Sequence, residues 1–260
     1  MTLSPAEAMV LLDPDDNDGI PAAKVTFLAL LAEGVLKQQH TAGRFFGSTT
    51  RLVLARPPAE NPPHVAAVLD AVRASTSATV ADVASRLSKA TKGFATFIPA
   101  LVRPRLLQRG LLAERQHQEQ RRVLFFFRRT VTTSTFHATE AGAREQARLR
   151  SQLEAAPAIR AMLDQDPGRA AAMAASLGVL ILLVPVLLPF LGQIASAMTL
   201  HNPVSGDSSD SGGDFSWMTS ADAISSDLDA SFDSALSDAA SESSSDSSSS
   251  DSGGSDGGGE

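Results

Sequence analysis

The sequence predicts a mainly α-helical fold with small β-hairpins, organised as tandem winged-helix-like units, one transmembrane helix and a disordered tail. Three observations lead to this prediction. Residues 1–165 alternate amphipathic helical patterns with β-prone runs, residues 170–199 are apolar and uncharged, and residues 200–260 are rich in Ser, Gly and Asp. We therefore divide the chain into units of residues 1–56 and 57–165, a membrane segment and an acidic Ser/Gly-rich tail.

The charges are divided unequally along the chain. Residues 1–200 contain all 22 Lys and Arg and 16 of the 29 Asp and Glu, so their net charge is +6. Residues 201–260 contain 13 acidic residues and no Lys or Arg. The net charge of −7 therefore describes neither part. The chain has no Cys, which excludes disulfides, zinc thiolates and Cys nucleophiles.

The first unit is predicted to contain two helices and a β-prone run. Ser4 with Glu7 three residues later has the pattern of a capping box, which predicts a helix from Pro5 to Leu12. The acidic turn DPDDNDG lacks the spacing of an EF-hand, so we interpret it as a cap for a second helix, Pro21 to Glu33. A polar loop then leads to the β-prone residues 51–55.

The second unit repeats this order with one more helix. Apolar residues at positions i, i+3, i+4 and i+7 predict amphipathic helices around residues 65–72 and 80–87. A third helix, Phe97 to Arg109, ends at Gly110, and the β-prone stretches RVLFFFR and TVTTSTFHAT predict a hairpin. A final helix begins after the cap residue Thr139. Three helices followed by a hairpin is the order of a winged helix.

Residues 170–199 form the strongest single pattern. No Lys, Arg, Asp or Glu occurs between Arg169 and Asp207, and a bilayer core of about 30 Å needs about 20 helical residues. We therefore predict an integral, single-pass transmembrane helix. A buried core helix and, because of Pro185 and Pro189, a re-entrant hairpin are the alternatives. Since basic residues precede this segment and none follow it, we expect a cytosolic N-terminal region and an exported tail.

Several short motifs resemble a group of uncharacterised bacterial predicted membrane proteins. SPAEAMVLLD, FLALLAEGVL, LLQRGLL and TEAGAREQARLRSQL occur in order before an apolar stretch and a Ser/Gly-rich tail. The resemblance implies paired helix-and-wing units on the cytosolic side and no known activity. A second, less extensive resemblance, of LVRPRLLQRGLLAERQHQEQRRVLFFF to the Golgi phosphoprotein family, implies binding of a phosphoinositide headgroup by basic residues.

The candidate binding residues are arginines around the third helix and the predicted wing. They are Arg103, Arg105, Arg109, Arg121, Arg122, Arg128 and Arg129. A basic surface of this kind contacts anionic lipid headgroups, a partner protein or nucleic acid, or is simply solvated. Prolines within the third helix make nucleic acid the least favoured partner. We expect no metal, cofactor or catalytic residue, because no metal-ligand spacing, phosphate loop or nucleophile motif occurs.

The tail divides into two parts. Residues 241–260 are almost entirely Ser, Gly, Asp and Glu and are predicted to be disordered. Before them, apolar residues recur every four positions at Ile224, Leu228, Phe232 and Leu236. This stretch is either a disordered spacer or a short acidic amphipathic helix that docks into a partner's groove.

Together these patterns predict a membrane-anchored, non-enzymatic adaptor or scaffold whose cytosolic winged-helix-like region recruits a cytosolic protein partner. Two alternatives stay open at this point. One is a membrane-tethered DNA-binding regulator that uses the basic surface on phosphates. The other is a protein that binds anionic lipids or phosphoinositides through the same arginines.

Overall fold

The structure, a computed structural model, describes residues 3–42, 48–124, 127–201, 218, 228–235 and 237, with the backbone alone for residues 40–42, 48–50, 118–124, 127–132 and 201. In this part of the chain the fold is mainly helical, with two antiparallel hairpins of two strands each. The prediction of a mainly α fold with small β-hairpins is therefore confirmed.

The chain begins with α1 (Pro5–Leu12), α2 (Gly19–Ala32) and the hairpin of β1 (Leu36–Ala42) and β2 (Ser48–Leu54). Next come α3 (Pro63–Ala74), α4 (Val80–Ala90), a π-helical segment (Phe97–Val102) and α5 (Arg103–Gln108). The second hairpin, β3 (Leu112–Leu124) with β4 (Phe127–Ala138), leads to α6 (Glu140–Ala155) and α7 (Pro157–Leu163). Then follow α8 (Pro167–Leu177), two 3₁₀ helices (Gly178–Leu183 and Pro185–Phe190) and α9 (Leu191–His201).

Local signals in the sequence determine where several helices begin. In the predicted capping box, the amide of Glu7 donates to Ser4 Oγ (3.2 Å) and the amide of Ser4 donates to Glu7 Oε2 (2.8 Å). Asp18, the last acid of the acidic turn, caps α2, and Thr139 caps α6, both as predicted. These side chains satisfy amides that have no partner within the first helical turn.

The hairpins differ from the sequence prediction in their boundaries. β1 and most of β3 occupy polar stretches predicted as loops, because pairing with a partner strand outweighs weak intrinsic propensity. The register of β3 with β4 runs from Leu112 opposite Ala138 to Leu124 opposite Phe127. The stretch RVLFFFR therefore crosses from one strand to the next, whereas we predicted that it forms a strand of its own. Its central residues, 125 and 126, lie outside the described part of the chain.

The prediction of one transmembrane helix over residues 170–199 is not supported. The chain there forms α8, the two 3₁₀ helices and α9, which together we call the apolar segment (residues 167–201). Val184 separates the two 3₁₀ helices with extended backbone (φ −110°, ψ 90°). This is the conformation that the following Pro185 favours in its neighbour. Within the described residues, no helix combines the length and the apolar character needed to cross a membrane.

The apolar segment packs against the N-terminal helices. Its first 3₁₀ helix contacts α1 and α2, and Ile181, Leu187 and Ile194 are fully buried. α2 (GIPAAKVTFLALLA) is apolar on nearly all sides and is buried along most of its length, so it needs cover from several directions. The apolar segment supplies part of that cover. A membrane span and a buried layer have the same uncharged pattern, which is why the sequence alone did not separate them.

Residues 228–235 lie within residues 200–260, which we predict to be a disordered tail; of that tail, residues 202–217, 219–227, 236 and 238–260 lie outside the described part of the chain. Residues 228–235 are helical, and Leu228, Phe232 and Ala235 are at most 3% exposed. Of the two interpretations open for this stretch, the structure supports the amphipathic helix. The helix packs on its own chain, whereas the sequence suggested a groove on a partner.

A close approach of two backbones at the start of α2 leads to the first testable prediction. A Cβ on Gly19 would lie 2.1 Å from the carbonyl oxygen of Phe94 and 2.9 Å from the Cβ of Phe97. Because the backbone must shift to accept a methyl group there, we expect Gly19→Ala to lower the free energy of unfolding by about 1–3 kcal/mol. Urea denaturation followed by circular dichroism measures this change. An unchanged midpoint would contradict the packing at this contact.

Candidate functional site

The structure separates the seven predicted arginines into two groups. Three lie on α5 or directly after it and have partners within the chain: Arg103, Arg105 and Arg109. Four lie near the turn of the second hairpin: Arg121, Arg122, Arg128 and Arg129. The first group has partners inside the fold, and of the second group the structure describes the backbone alone.

Arg103 connects α5 to the acidic turn between α1 and α2. It is only 4% exposed. Its Nη2 donates to the carbonyl oxygens of Pro14 (3.0 Å) and Asp16 (3.2 Å) and to Asn17 Oδ1 (3.0 Å). On another side, the guanidinium lies 4.0 Å from the centroid of the Phe136 ring. The acidic turn thus serves as an acceptor for a buried arginine, which explains why its oxygens are grouped without calcium-loop spacing.

The planar geometry of Arg103 gives a second prediction. Lysine keeps the charge but cannot reach three acceptors while stacking on Phe136. We expect Arg103→Lys to lower the free energy of unfolding by about 1–3 kcal/mol. Arg144→Lys is the matched control, since the Arg144 side chain is 75% exposed and pairs only with Glu140 of its own helix among the contacts described. Equal midpoints for the two variants in urea denaturation would refute the role of Arg103.

Arg105 and Arg109 converge on one buried carboxylate. Arg105 Nε lies 3.0 Å from Glu7 Oε1, and Arg109 Nη1 lies 3.3 Å from Glu7 Oε2. Glu7 itself is 1% exposed. Arg105 also pairs with Glu60 at the surface. These two arginines join α5 to α1, so the sequence prediction that they contact an external ligand gains no support from their positions.

His64 belongs to the same polar cluster and is fully buried. Its Nε2 lies 3.0 Å from Ser4 Oγ, the oxygen that caps α1. Burial lowers the pKa of His64 from 6.5 to about 4, while the charge of Glu7 raises it and that of Arg105 lowers it further. The imidazole is therefore neutral at neutral pH and is part of the buried polar cluster between α1 and α5.

The hairpin arginines lie in opposed pairs. The register places Arg121 opposite Arg129 and Arg122 opposite Arg128. Like charges directly opposite each other on neighbouring strands destabilise the pairing. The four residues thus concentrate positive charge at one end of the hairpin, although their side chains lie outside the described part of the structure.

A different surface holds the helix of residues 228–235. We call it the helix groove and define it by Lys24 of α2, Ser88 of α4 and Phe94 in the turn after α4. Phe232 stacks on Phe94, with ring centroids 5.2 Å apart and planes at 23°. At the end of the helix, Ser88 Oγ donates to the carbonyl oxygen of Ala235 (3.2 Å).

Lys24 provides the electrostatic part of the groove. Its Nζ lies 2.8 Å from Asp229 Oδ1 and 4.0 Å from Asp233 Oδ1. The same ammonium is 5.8 Å from the centroid of the Phe232 ring. Lys24 is the single charged residue in the sequence of α2. That isolated charge in an apolar helix was a signal that sequence reasoning did not use.

The backbone at Phe94 has an unusual conformation and packs against the start of α2. Lys92, Gly93 and Phe94 have positive φ values of 52°, 68° and 66°. For residues with side chains this conformation costs about 1 kcal/mol or more and persists where the surroundings enforce it. The carbonyl of Phe94 is held against Gly19, and the residue is 1% exposed with the 228–235 helix in place. The floor of the groove is therefore a fixed feature of the fold.

A cavity of about 400 Å³ adjoins the helix groove. Its lining is mostly apolar and comes from α1, α2, the apolar segment and the first turn of the 228–235 helix. Its apolar walls include Leu12, Val25, Leu188 and Leu228. Lys24 and Asp229 also line the cavity, so one ion pair borders both features.

The described part of the chain is mainly helical, and its groove holds an amphipathic helix of the same chain. No group of three or more His, Asp or Glu that could hold a metal ion occurs among the described residues. Comparison with known proteins gives no match to a protein-family model, a curated protein or a solved structure. The two resemblances seen in the sequence therefore stay predictions.

Proposed function

We propose that the protein is a non-enzymatic adaptor that recruits a helical segment of a partner protein to a membrane. The observation that carries this proposal is the helix groove, which already holds an amphipathic helix. That helix is bound through side chains at i, i+4 and i+7, the spacing used when a helix lies in a groove on another protein. An aromatic stack, an ion pair and a hydrogen bond to a terminal carbonyl supply apolar, charged and polar contacts together.

The membrane part of the proposal rests on the apolar segment. It has no acidic residue and no basic residue beyond Arg169, and Val186 and Leu200 on it are 44% and 77% exposed. When the groove is occupied, residues 228–235 and α2 lie on the same side of any membrane. This favours re-entrant attachment over a single pass with an exported tail. The preceding arginines favour the cytosolic side for the helical region.

The winged-helix-like interpretation is part of the same proposal. Within residues 57–165, α3, α4 and α5 precede the hairpin of β3 and β4, which is the order expected for such a unit. Within residues 1–56, α1 and α2 precede the hairpin of β1 and β2. The element order supports the tandem arrangement at both positions.

A second candidate function, binding of anionic lipid, is favoured by the arginine pairs of the second hairpin. The register brings four arginines to one end of the hairpin, and each basic residue close to a charged leaflet gains about 1 kcal/mol. The sequence between the pairs, VLFFF, is apolar and suited to the same surface. Nucleic acid has less support, since the arginines of the third helix have internal partners.

Membrane attachment is tested with full-length protein and liposomes. We expect the protein to float with vesicles of neutral phosphatidylcholine and to bind better when phosphatidylserine is added. Changing all four hairpin arginines to Ala should remove only the gain from phosphatidylserine. Recovery of the unchanged protein at the bottom of the gradient with both vesicle types would refute the membrane proposal.

Partner recruitment is tested by crosslinking in native membranes, followed by affinity purification and mass spectrometry. We expect a protein with a predicted acidic amphipathic helix to be enriched with the unchanged chain and lost with Lys24→Glu, which reverses the charge of the groove. Arg144→Glu, a charge reversal on the exposed face of α6, is the control. The adaptor proposal fails if no protein distinguishes the two variants.

A further inference from the structure

Building on the proposed adaptor function, we propose that the helix groove selects acidic amphipathic helices with an aromatic residue at the position of Leu228. In this proposal the helix of residues 228–235 binds the groove less tightly than a partner helix of this kind, which therefore displaces it. Three features of the groove support it: the charge pattern around Lys24, the apolar contacts along the helix, and the half-open cavity beside Leu228.

The charge pattern specifies where the carboxylates of the bound helix lie. Lys24 reaches Asp229 and Asp233, which are one turn apart. The Lys24 side chain is 22% exposed, whereas those of Asp229 and Asp233 are 66% and 75% exposed. The groove thus presents a partly buried cation to carboxylates on the solvent side of the helix. A helix with basic residues at these two positions would meet like charge and be rejected.

The apolar contacts specify the side chains that face the groove. Leu228, Phe232 and Ala235 are buried, whereas Asp229, Ala230 and Asp233 between them are exposed. Phe232 is anchored on Phe94, whose strained backbone is held by the fold. A rigid floor of this kind is pre-organised, which reduces the cost of ordering on binding. The small Ala235 allows Ser88 to reach the helix end.

The cavity beside Leu228 determines which side chain at this position would bind the groove more tightly than the leucine of the tail. Leu228 forms part of the lining of the cavity, which is half open and measures about 400 Å³ among the described residues. Engineered apolar cavities of about 150 Å³ bind benzene, so this space accepts an aromatic ring. Leu12, Val25 and Leu188 supply apolar walls for it. A helix with Trp in place of Leu228 would bury more apolar surface than the tail does.

The covalent connection explains how a weaker helix can occupy the groove. Linking two binding elements in one chain gives an effective concentration of about millimolar for short flexible connections. A free partner then binds with an apparent affinity reduced by the fraction of molecules whose groove is open. Tight packing of the internal helix would make this fraction too small for exchange. In this proposal the cavity beside Leu228 is where a partner helix gains contacts that the internal helix does not make.

The experiment uses the full-length protein and a fluorescent peptide with the sequence of residues 224–238, and it measures anisotropy. We expect weak binding of this peptide to the unchanged protein. Changing the protein's own Phe232 to Ala opens the groove and should increase the peptide affinity at least about 10-fold. A peptide with Leu228→Trp should bind either protein about 10-fold more tightly than the native peptide.

A second way to open the groove keeps the aromatic anchor intact. Asp229→Lys with Asp233→Lys in the protein should also raise the affinity for the native peptide. A peptide with the same two changes should bind only when the protein carries Lys24→Asp, which restores opposite charge. A peptide with Ser234→Ala, changed on the exposed face, is the control and should bind like the native peptide.

Each result supports or overturns a defined part of the proposal. Unchanged peptide affinity in both opened proteins would show that residues 228–235 do not occupy the groove. Equal affinities of the native and Leu228→Trp peptides would refute the aromatic preference. If the peptides behave as expected but crosslinking gives no partner that depends on Lys24, the adaptor function fails while the specificity of the groove stands.

Discussion

Replacing Glu7 with Ala is expected to lower the free energy of unfolding by about 3 kcal/mol, the largest effect of any single carboxylate in the described structure. Glu7 is 1% exposed and neutralises both Arg105 and Arg109. Removing one partner of a buried ion pair leaves charge without compensation, which costs about 3–5 kcal/mol in fully buried cases. We take the lower limit because the two arginine side chains are 22% and 15% exposed.

The position of Glu7 in the capping box requires a second variant. Glu7→Gln keeps an acceptor for the amide of Ser4 but removes the charge. The decrease in the free energy of unfolding of this variant therefore measures the contribution of the ion pairs. Glu60→Ala is the matched control, because Glu60 pairs with the same Arg105 but lies at the surface. We expect a much smaller loss for Glu60. Similar losses for Glu7→Ala and Glu60→Ala in urea denaturation would contradict this role.

Acidification is expected to destabilise the fold through His64. Between pH 6.5 and about 4 the free energy of unfolding should fall by about 3 kcal/mol. Burial lowers the pKa of this imidazole from 6.5 to about 4. Below pH 6.5 the unfolded chain binds a proton that the folded chain does not, so stability rises with pH in this range. The contribution is present above pH 6.5 and is lost as the pH falls towards 4. A difference of one pKa unit corresponds to about 1.4 kcal/mol.

The measurement is the free energy of urea unfolding at several pH values between these limits. His64→Gln cannot titrate, so its stability should depend less on pH than that of the unchanged protein. His137→Gln makes the same chemical change at an exposed position of β4 and should leave the pH dependence as it is. If the three proteins show parallel profiles, His64 does not control acid stability.

The helices were the most predictable part of the fold because their signals are local. Ser4 with Glu7, and Thr139, mark helix starts through hydrogen bonds to amides within three residues. The amphipathic spacing of α3 and α4 identifies the buried side of each helix without reference to the rest of the chain. Such features depend on neighbouring residues only, so the sequence is sufficient to locate them.

The site was less predictable because its residues meet across long stretches of chain. Lys24 and Asp229 are 205 positions apart, and Ser88 and Ala235 are 147 positions apart. The arginines of α5 were recognisable as a basic group, but their pairing with Glu7 and the acidic turn was not. A cluster of basic residues in a sequence does not show which carboxylates the fold places next to it.

The sequence by itself determined the helix starts, the amphipathic faces, the unequal division of charge and the uncharged stretch after Arg169. Tertiary structure alone decided what covers that stretch, where Arg103 and Arg105 find acceptors, and that residues 228–235 lie on α2. The physical reason is that capping and periodicity are short-range. Burial depends instead on which apolar surfaces meet, and the same uncharged residues gain free energy by leaving water for lipid or for the interior of their own chain.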